Sequence, residues 1–260
     1  MGASGARSVL VPALALLLVA AVVSDAVRRA GRGAPAISPG GTAQPSAGGT
    51  VASRVRTGLS GMPTDRLDSA ARADALQRIN LEGASTYLPA MLEENDSVLH
   101  RWADDRARRP LRVAILRDGA VPAFREIFIA NVAWAIGRWN GVGLPLWLEQ
   151  SPDSAGADIV VAWADRLDSN RTGRSDLTWQ RRGAIVQVRV TLATHLPDGR
   201  PVQPTQMVAL ALHELGHAIG LGHSPGKSDA LYPETSATEL TSRDRGTAAL
   251  LYSIPPGSLK

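Results

Sequence analysis

Between residues 213 and 223 the chain reads His213-Glu214-Leu215-Gly216-His217-Ala218-Ile219-Gly220-Leu221-Gly222-His223. Three of its five histidines fall in this run, which restricts the local fold more than any other stretch. On a helix, residues four apart share a face one turn apart, so His213 and His217 set two imidazoles side by side. Val208, Leu212, Leu215 and Ile219 fall where such a helix would bury its other side. Gly220 lets the helix stop, because glycine takes positive φ at little cost, and the turn brings His223 round to the same point. Three imidazoles meeting at one point are the donor set of a zinc ion that keeps one coordination position open. Glu214, beside the first imidazole, is the carboxylate placed to act as general base on water there. At this composition the eleven-residue pattern arises by chance on the order of once in 10⁵.

The rest of the chain narrows the setting. Its 260 residues suffice for one ordinary domain with extensions. Cysteine is absent, which excludes disulfides, thiolate metal sites and a cysteine nucleophile. The formal charge is +4, almost all of it arginine, with Lys227 and Lys260 the only lysines. The arginines alternate with acids, as in Arg101-Trp102-Ala103-Asp104-Asp105-Arg106. A nucleic-acid partner requires basic residues gathered on one face, so none is expected.

Arg7 precedes an apolar run, Val9 to Val23. Residues 1–26 are read as a signal peptide or a membrane anchor. Either implies a secreted, periplasmic or cell-surface location, and the anchor implies a membrane tether through the N-terminus. Residues 27–62, rich in Gly, Ala, Ser and Pro, are read as a flexible linker. Residues 63–109 are read as a helical extension or pro-region, with one helix capped by Thr64 and running to about Arg78 and a second over Pro89 to Arg108. From Pro110 an α/β pattern sets in. Strands are expected over Leu111 to Leu116, Leu146 to Glu149, Asp158 to Trp163, Asp176 to Gln180 and Ala184 to Leu192. The last two should form a hairpin turning at Arg182-Gly183. Helices are expected over Pro122 to Asn140 and Gln203 to Ile219.

The run His213 to His223 resembles the signature of the metzincins, and its flanks resemble the matrixin branch, relatives of the matrix metalloproteinases. Ser224 follows His223; Asp229-Ala230-Leu231-Tyr232-Pro233 is similar to the turn beneath the zinc, with Leu231 where that family carries methionine. Leu240 to Asp244, ending in Leu251-Tyr252, is similar to the last helix, and Ala157 to Val160 to the strand ahead of the substrate-binding edge. The resemblance implies a catalytic domain over 110–260 of α/β (α+β) class. Its sheet would be of metzincin type: twisted, mostly parallel, of about five strands with one antiparallel edge strand. A backing helix, an active-site helix and a C-terminal helix would complete it, with the helical extension in front. It implies a zinc-dependent endopeptidase acting on a protein or peptide, with His213, His217 and His223 as zinc (Zn2+) ligands and Glu214 as the base.

By the same resemblance, the edge near Asp176 to Gln180 would pair with an extended substrate, and Leu231 to Ser236 would wall the pocket beside the metal. Asp244 would hold the turn from below. Leucine for methionine costs under about 1.5 kcal/mol in a core, so the site should tolerate Leu231. Only His195 remains where the family has a histidine-rich second zinc site. The acids of Asp165 to Asp176 match no calcium motif, and calcium (Ca2+) stays a secondary candidate ion there. The alternative reading is a zinc-binding interaction module without catalysis, which would have no need of Glu214. A basic protein bound to anionic lipid or nucleic acid would instead bind with steep salt dependence.

Overall fold

A computed structural model describes residues 51–57, 64–106 and 109–260, with backbone only over 51–57. All of them lie in the second of two compact units, Ala47–Lys260. The signal peptide or anchor expected over 1–26 lies outside the described residues, as do 27–50 and 58–62 of the expected linker. Among the described residues no helix is long and apolar enough to cross a membrane.

Five strands form the heart of the sheet: β4 (Leu111–Ile115), β5 (Leu148–Ser151), β6 (Ile159–Ala164), β7 (Gly173–Trp179) and β8 (Ala184–Ala193). Their spatial order is β5-β4-β6-β8-β7. The pairs β4–β5, β4–β6 and β6–β8 are parallel, and β7 runs antiparallel to β8. This is the mostly parallel sheet with one antiparallel strand that the resemblance implies. Val113, Ile159, Val161, Val188, Val190 and Leu192 are buried in it, as expected for β-branched and aliphatic strands covered by helices.

Beyond β7 the sheet continues. Strand β1 (Val51–Thr57), inside the segment read as linker, pairs in parallel with β7. Its start pairs antiparallel with β9 (Glu234–Thr235). The antiparallel strand is therefore flanked on both sides.

The two covering helices are α3 (Ile127–Asn140) and α4 (Pro204–Ala218). α3 begins five residues later than the sequence suggests, because Ala123 takes φ 57° and breaks the helical path. Its Phe128, Val132, Ala135, Ile136 and Trp139 recur at helical spacing and are buried. Two side chains tie it to α4: Asn131 Nδ2 donates to Pro204 O (2.9 Å) and Trp139 Nε1 to Leu212 O (3.0 Å). α4 opens on a proline in its first turn, with Gln203 N donating to Gln206 Oε1 (2.9 Å). Every residue of α4 from Ala209 to Ala218 is buried.

The extension departs from its expected helices. α1 spans Ser69–Glu82 and is capped by Asp68, whose Oδ1 accepts from Ala70 and Ala71. Thr64 cannot cap it, because Asp65 to Leu67 lie extended: Asp65 N donates to Arg181 O (2.6 Å) and Leu67 N to Ser258 O (2.9 Å). α2 is short, Leu88–Glu94, and does not reach Arg108. Asp96 and Ser97 stand at φ 54° and 62°, a left-handed pair that no helix continues through. The apolar residues read as one helical stripe are instead split. Val98–Leu99 forms β2 against β10 (Gly257–Ser258), and Arg101–Trp102 forms β3 against the start of β8. Short apolar runs are ambiguous between the two periods, and here long-range pairing decides. Trp102 is fully buried with Nε1 donating to Ala218 O (2.9 Å), at the end of α4. The last helix, α5 (Ser242–Ser253), is capped by Thr241, which accepts from Asp244 N.

Candidate metal centre and active site

α4 carries His213 and His217 on one face, and their Nε2 atoms stand 3.0 Å apart. Ile219 ends the helix and Gly220 turns it, at φ 101°. A side chain at Gly220 would also collide with the carbonyl of His100, so glycine is required there twice over. The turn delivers His223, whose ring centroid lies 5.5 Å from that of His213 and 4.9 Å from that of His217. One nitrogen from each of the three rings lies within 4.8 Å of the others. The sequence-expected triad is thus brought together.

The hydrogen bonds behind the rings decide what their inner nitrogens can do. His213 Nδ1 faces Ala230 O at 2.8 Å and His217 Nδ1 faces Leu221 O at 2.7 Å. A carbonyl only accepts, so each Nδ1 carries the proton. His223 Nδ1 faces the carboxylate of Glu94 (3.3 Å), which likewise accepts. In neutral rings this leaves three bare Nε2 lone pairs turned toward one another. His223 Nε2 is buried with no hydrogen-bond partner. Burial, reinforced by the proximity of His223, pushes the pKa of His213 down to about 3. His217 is pushed well below its ordinary value by burial and then by His213 and His223. His213 and His217 are therefore held neutral, the form that ligates a metal. Two lone pairs 3.0 Å apart repel, and a cation between them removes the conflict. The donor set fits zinc: three imidazoles, each with its far nitrogen held, and one position left over.

Glu214 follows His213 on the helix and is fully buried. Its carboxylate is received by β7. Ser175 Oγ donates to Glu214 Oε2 (2.7 Å), and Gly173, two residues earlier on the same strand face, leaves the space that Oε1 fills. Any Cβ at Gly173 would collide with that oxygen. Neither Gly173 nor Ser175 stood out in the sequence, since their role depends on a strand meeting a helix 39 residues away.

The turn beneath the rings is built as the sequence suggests. Asp244 Oδ2 accepts from Ala230 N (2.9 Å) and Thr241 N (2.8 Å), and Tyr87 Oη approaches Oδ1 at 3.3 Å. The Ala230 carbonyl is therefore held where it receives His213. Leu231, in the place of a methionine, is fully buried. Ser224 donates to Asp229, and Thr235 Oγ1 donates to Asp229 O (2.9 Å), closing the loop after the third imidazole.

Among the described residues, the acids considered for calcium form no cluster of metal ligands. Asp165 is bonded to His195 (2.6 Å), Asp168 to Arg171 (2.5 Å) and Asp176 to Arg174 (2.9 Å). Among the described residues, the histidine triad is the one group of three or more potential metal ligands brought together.

The matrixin family model, a peptidase family, matches residues 123–253, just over half of the chain. The chain belongs to the matrixin family. The matched span holds β5 to β9, α3, α4 and α5, and with them the triad, Glu214 and the turn below. No curated protein matches the chain. Matrixins are metalloendopeptidases that normally bind zinc, and this matrixin has a histidine cluster able to hold it. The segment 64–106, with α1, α2, β2 and β3, lies ahead of the matched span.

Proposed function

We propose that this matrixin is a zinc-dependent endopeptidase in which His213, His217 and His223 hold the metal through Nε2 and Glu214 moves the proton. The observation that carries the reading is the convergence of three Nε2 lone pairs with no donor to satisfy them, beside a carboxylate seated on β7. Zinc, when bound, supplies the Lewis acidity that makes water a nucleophile and polarises a carbonyl. Glu214 takes the proton from that water on a carboxylate oxygen and returns it to the nitrogen of the departing amine. Ser175 keeps one carboxylate oxygen hydrogen-bonded and so fixes the direction of the other. An interaction module without catalysis is the weaker reading, since it leaves the cradle formed by Gly173 and Ser175 without a purpose. The test is digestion of a library of unstructured peptides by the zinc-loaded protein. Cuts at internal bonds are expected, and a library left intact would remove the reading.

For the substrate, we propose the lane between β7 and β9, entered in extended form by strand addition. Support comes from the chain itself, because β1 already runs there. Ser53 pairs with Gly173 and Val55 with Ser175, the residues that seat Glu214, while Val51 and Ala52 pair with β9. A protein beginning at residue 58 should therefore cleave peptides with a lower KM than the full chain, at similar kcat. Initial rates over a range of peptide concentrations check this, and an unchanged KM would place the substrate elsewhere. The apolar run Val9 to Val23 supports export, with action outside the cytoplasm on protein or peptide substrates.

A further inference from the structure

The three imidazoles differ in what stands behind them. His213 and His217 are backed by carbonyls from within the matched span, whereas His223 is backed by Glu94, at the end of α2 and outside it. The same segment touches the approach to His223 at three more points. Trp102 Nε1 donates to Ala218 O; the His100 carbonyl abuts Gly220; and Gly222 N donates to Met91 Sδ (2.9 Å). Residues 218 to 223, from the end of α4 to the third ring, are thus shaped by residues 91 to 102.

We propose that Glu94 is a positioning residue of the metal centre, and that the segment carrying it is a working part of the active protein. Its carboxylate accepts the Nδ1 proton of His223, which fixes the tautomer and turns the Nε2 lone pair toward the other two. Carboxylates behind metal-bound imidazoles orient the ring and raise its basicity, and their loss costs about 10–100-fold in metal affinity. Glu94 is half exposed, with 52% of its side chain accessible. Solvent weakens the pair, so the lower end, about 10-fold, applies. The contacts of Trp102, His100 and Met91 set the backbone, and Glu94 sets the ring.

The proposal rests on the zinc reading of the triad, and the test separates the two. Zinc dissociation constants are measured on the full chain by competition with a chromophoric chelator. Cobalt(II) is then substituted for zinc and its visible spectrum recorded. Glu94→Ala is expected to raise the zinc dissociation constant about 10-fold and to shift the cobalt bands, with the thermal midpoint of the metal-free protein unchanged. Glu94→Gln, which keeps an acceptor oxygen in place, should recover most of the affinity. A wild-type dissociation constant and spectrum in Glu94→Ala would overturn the proposal and leave the triad standing. A wild-type protein that binds no zinc would overturn the zinc reading itself. N-terminal sequencing of the active, zinc-loaded form supplies a second arm. Residue 94 should be retained, and an active form that begins after it would overturn the proposal.

Discussion

Glu214→Gln is expected to lower kcat for peptide cleavage by about 10²–10⁴-fold, the usual worth of a positioned general base, at unchanged zinc content. Glutamine keeps the shape that fits over Gly173 and can still accept from Ser175 Oγ, so the fold around it should hold. What it loses is the ability to take a proton from water and carry it to the amine. The loss should appear in kcat and kcat/KM alike, because proton transfer belongs to the transition state and not to substrate binding. Steady-state kinetics with metal analysis of the same preparation checks both halves. A variant with wild-type kcat would remove Glu214 from the chemistry.

Removal of the metal should have the second large effect. Chelation is expected to abolish cleavage and lower the thermal midpoint, and one equivalent of zinc should restore both. At free zinc a thousand times its dissociation constant, the folded state gains about 4 kcal/mol. The metal-free protein should also respond to pH in a defined direction. His213 has a folded pKa pushed down to about 3 from an ordinary 6.5, and His217 is shifted the same way. Such groups stabilise the fold above pH 6.5, and that stability is lost as pH falls from 6.5 toward 3. The metal-free midpoint should therefore be lower at pH 5 than at pH 7. A midpoint that rises on acidification would mean the rings are not held neutral.

The parts of the site that were legible in the sequence are those set by local geometry. Two histidines one helical turn apart and a glycine that ends the turn need nothing beyond residues 213 to 223. The β7–β8 hairpin was legible for the same reason, with its turn at Gly183 (φ 77°). The role of Asp244 came from resemblance and is met by its bond to Ala230 N. What stayed hidden depends on distant partners. Glu94 lies 129 residues from His223 and Ser175 lies 39 from Glu214, and neither pairing leaves a periodic trace. The segment after Glu94 reads as helix in the sequence because Val98, Leu99 and Trp102 suit both periods. Two left-handed residues and pairing with β8 and β10 resolve it otherwise. β1 was hidden because its seven residues, Val51 to Thr57, lie inside a longer Gly-, Ala- and Ser-rich stretch that reads as linker; its strand character comes from the edge it joins.

Diffraction from crystals of the zinc-loaded protein, recorded on both sides of the zinc absorption edge, bears most directly on all of this. One anomalous peak is predicted, about 2.0–2.1 Å from the Nε2 atoms of His213, His217 and His223 together. A peak held by only two of these rings, with His223 turned aside, or a peak at some other cluster, would contradict it.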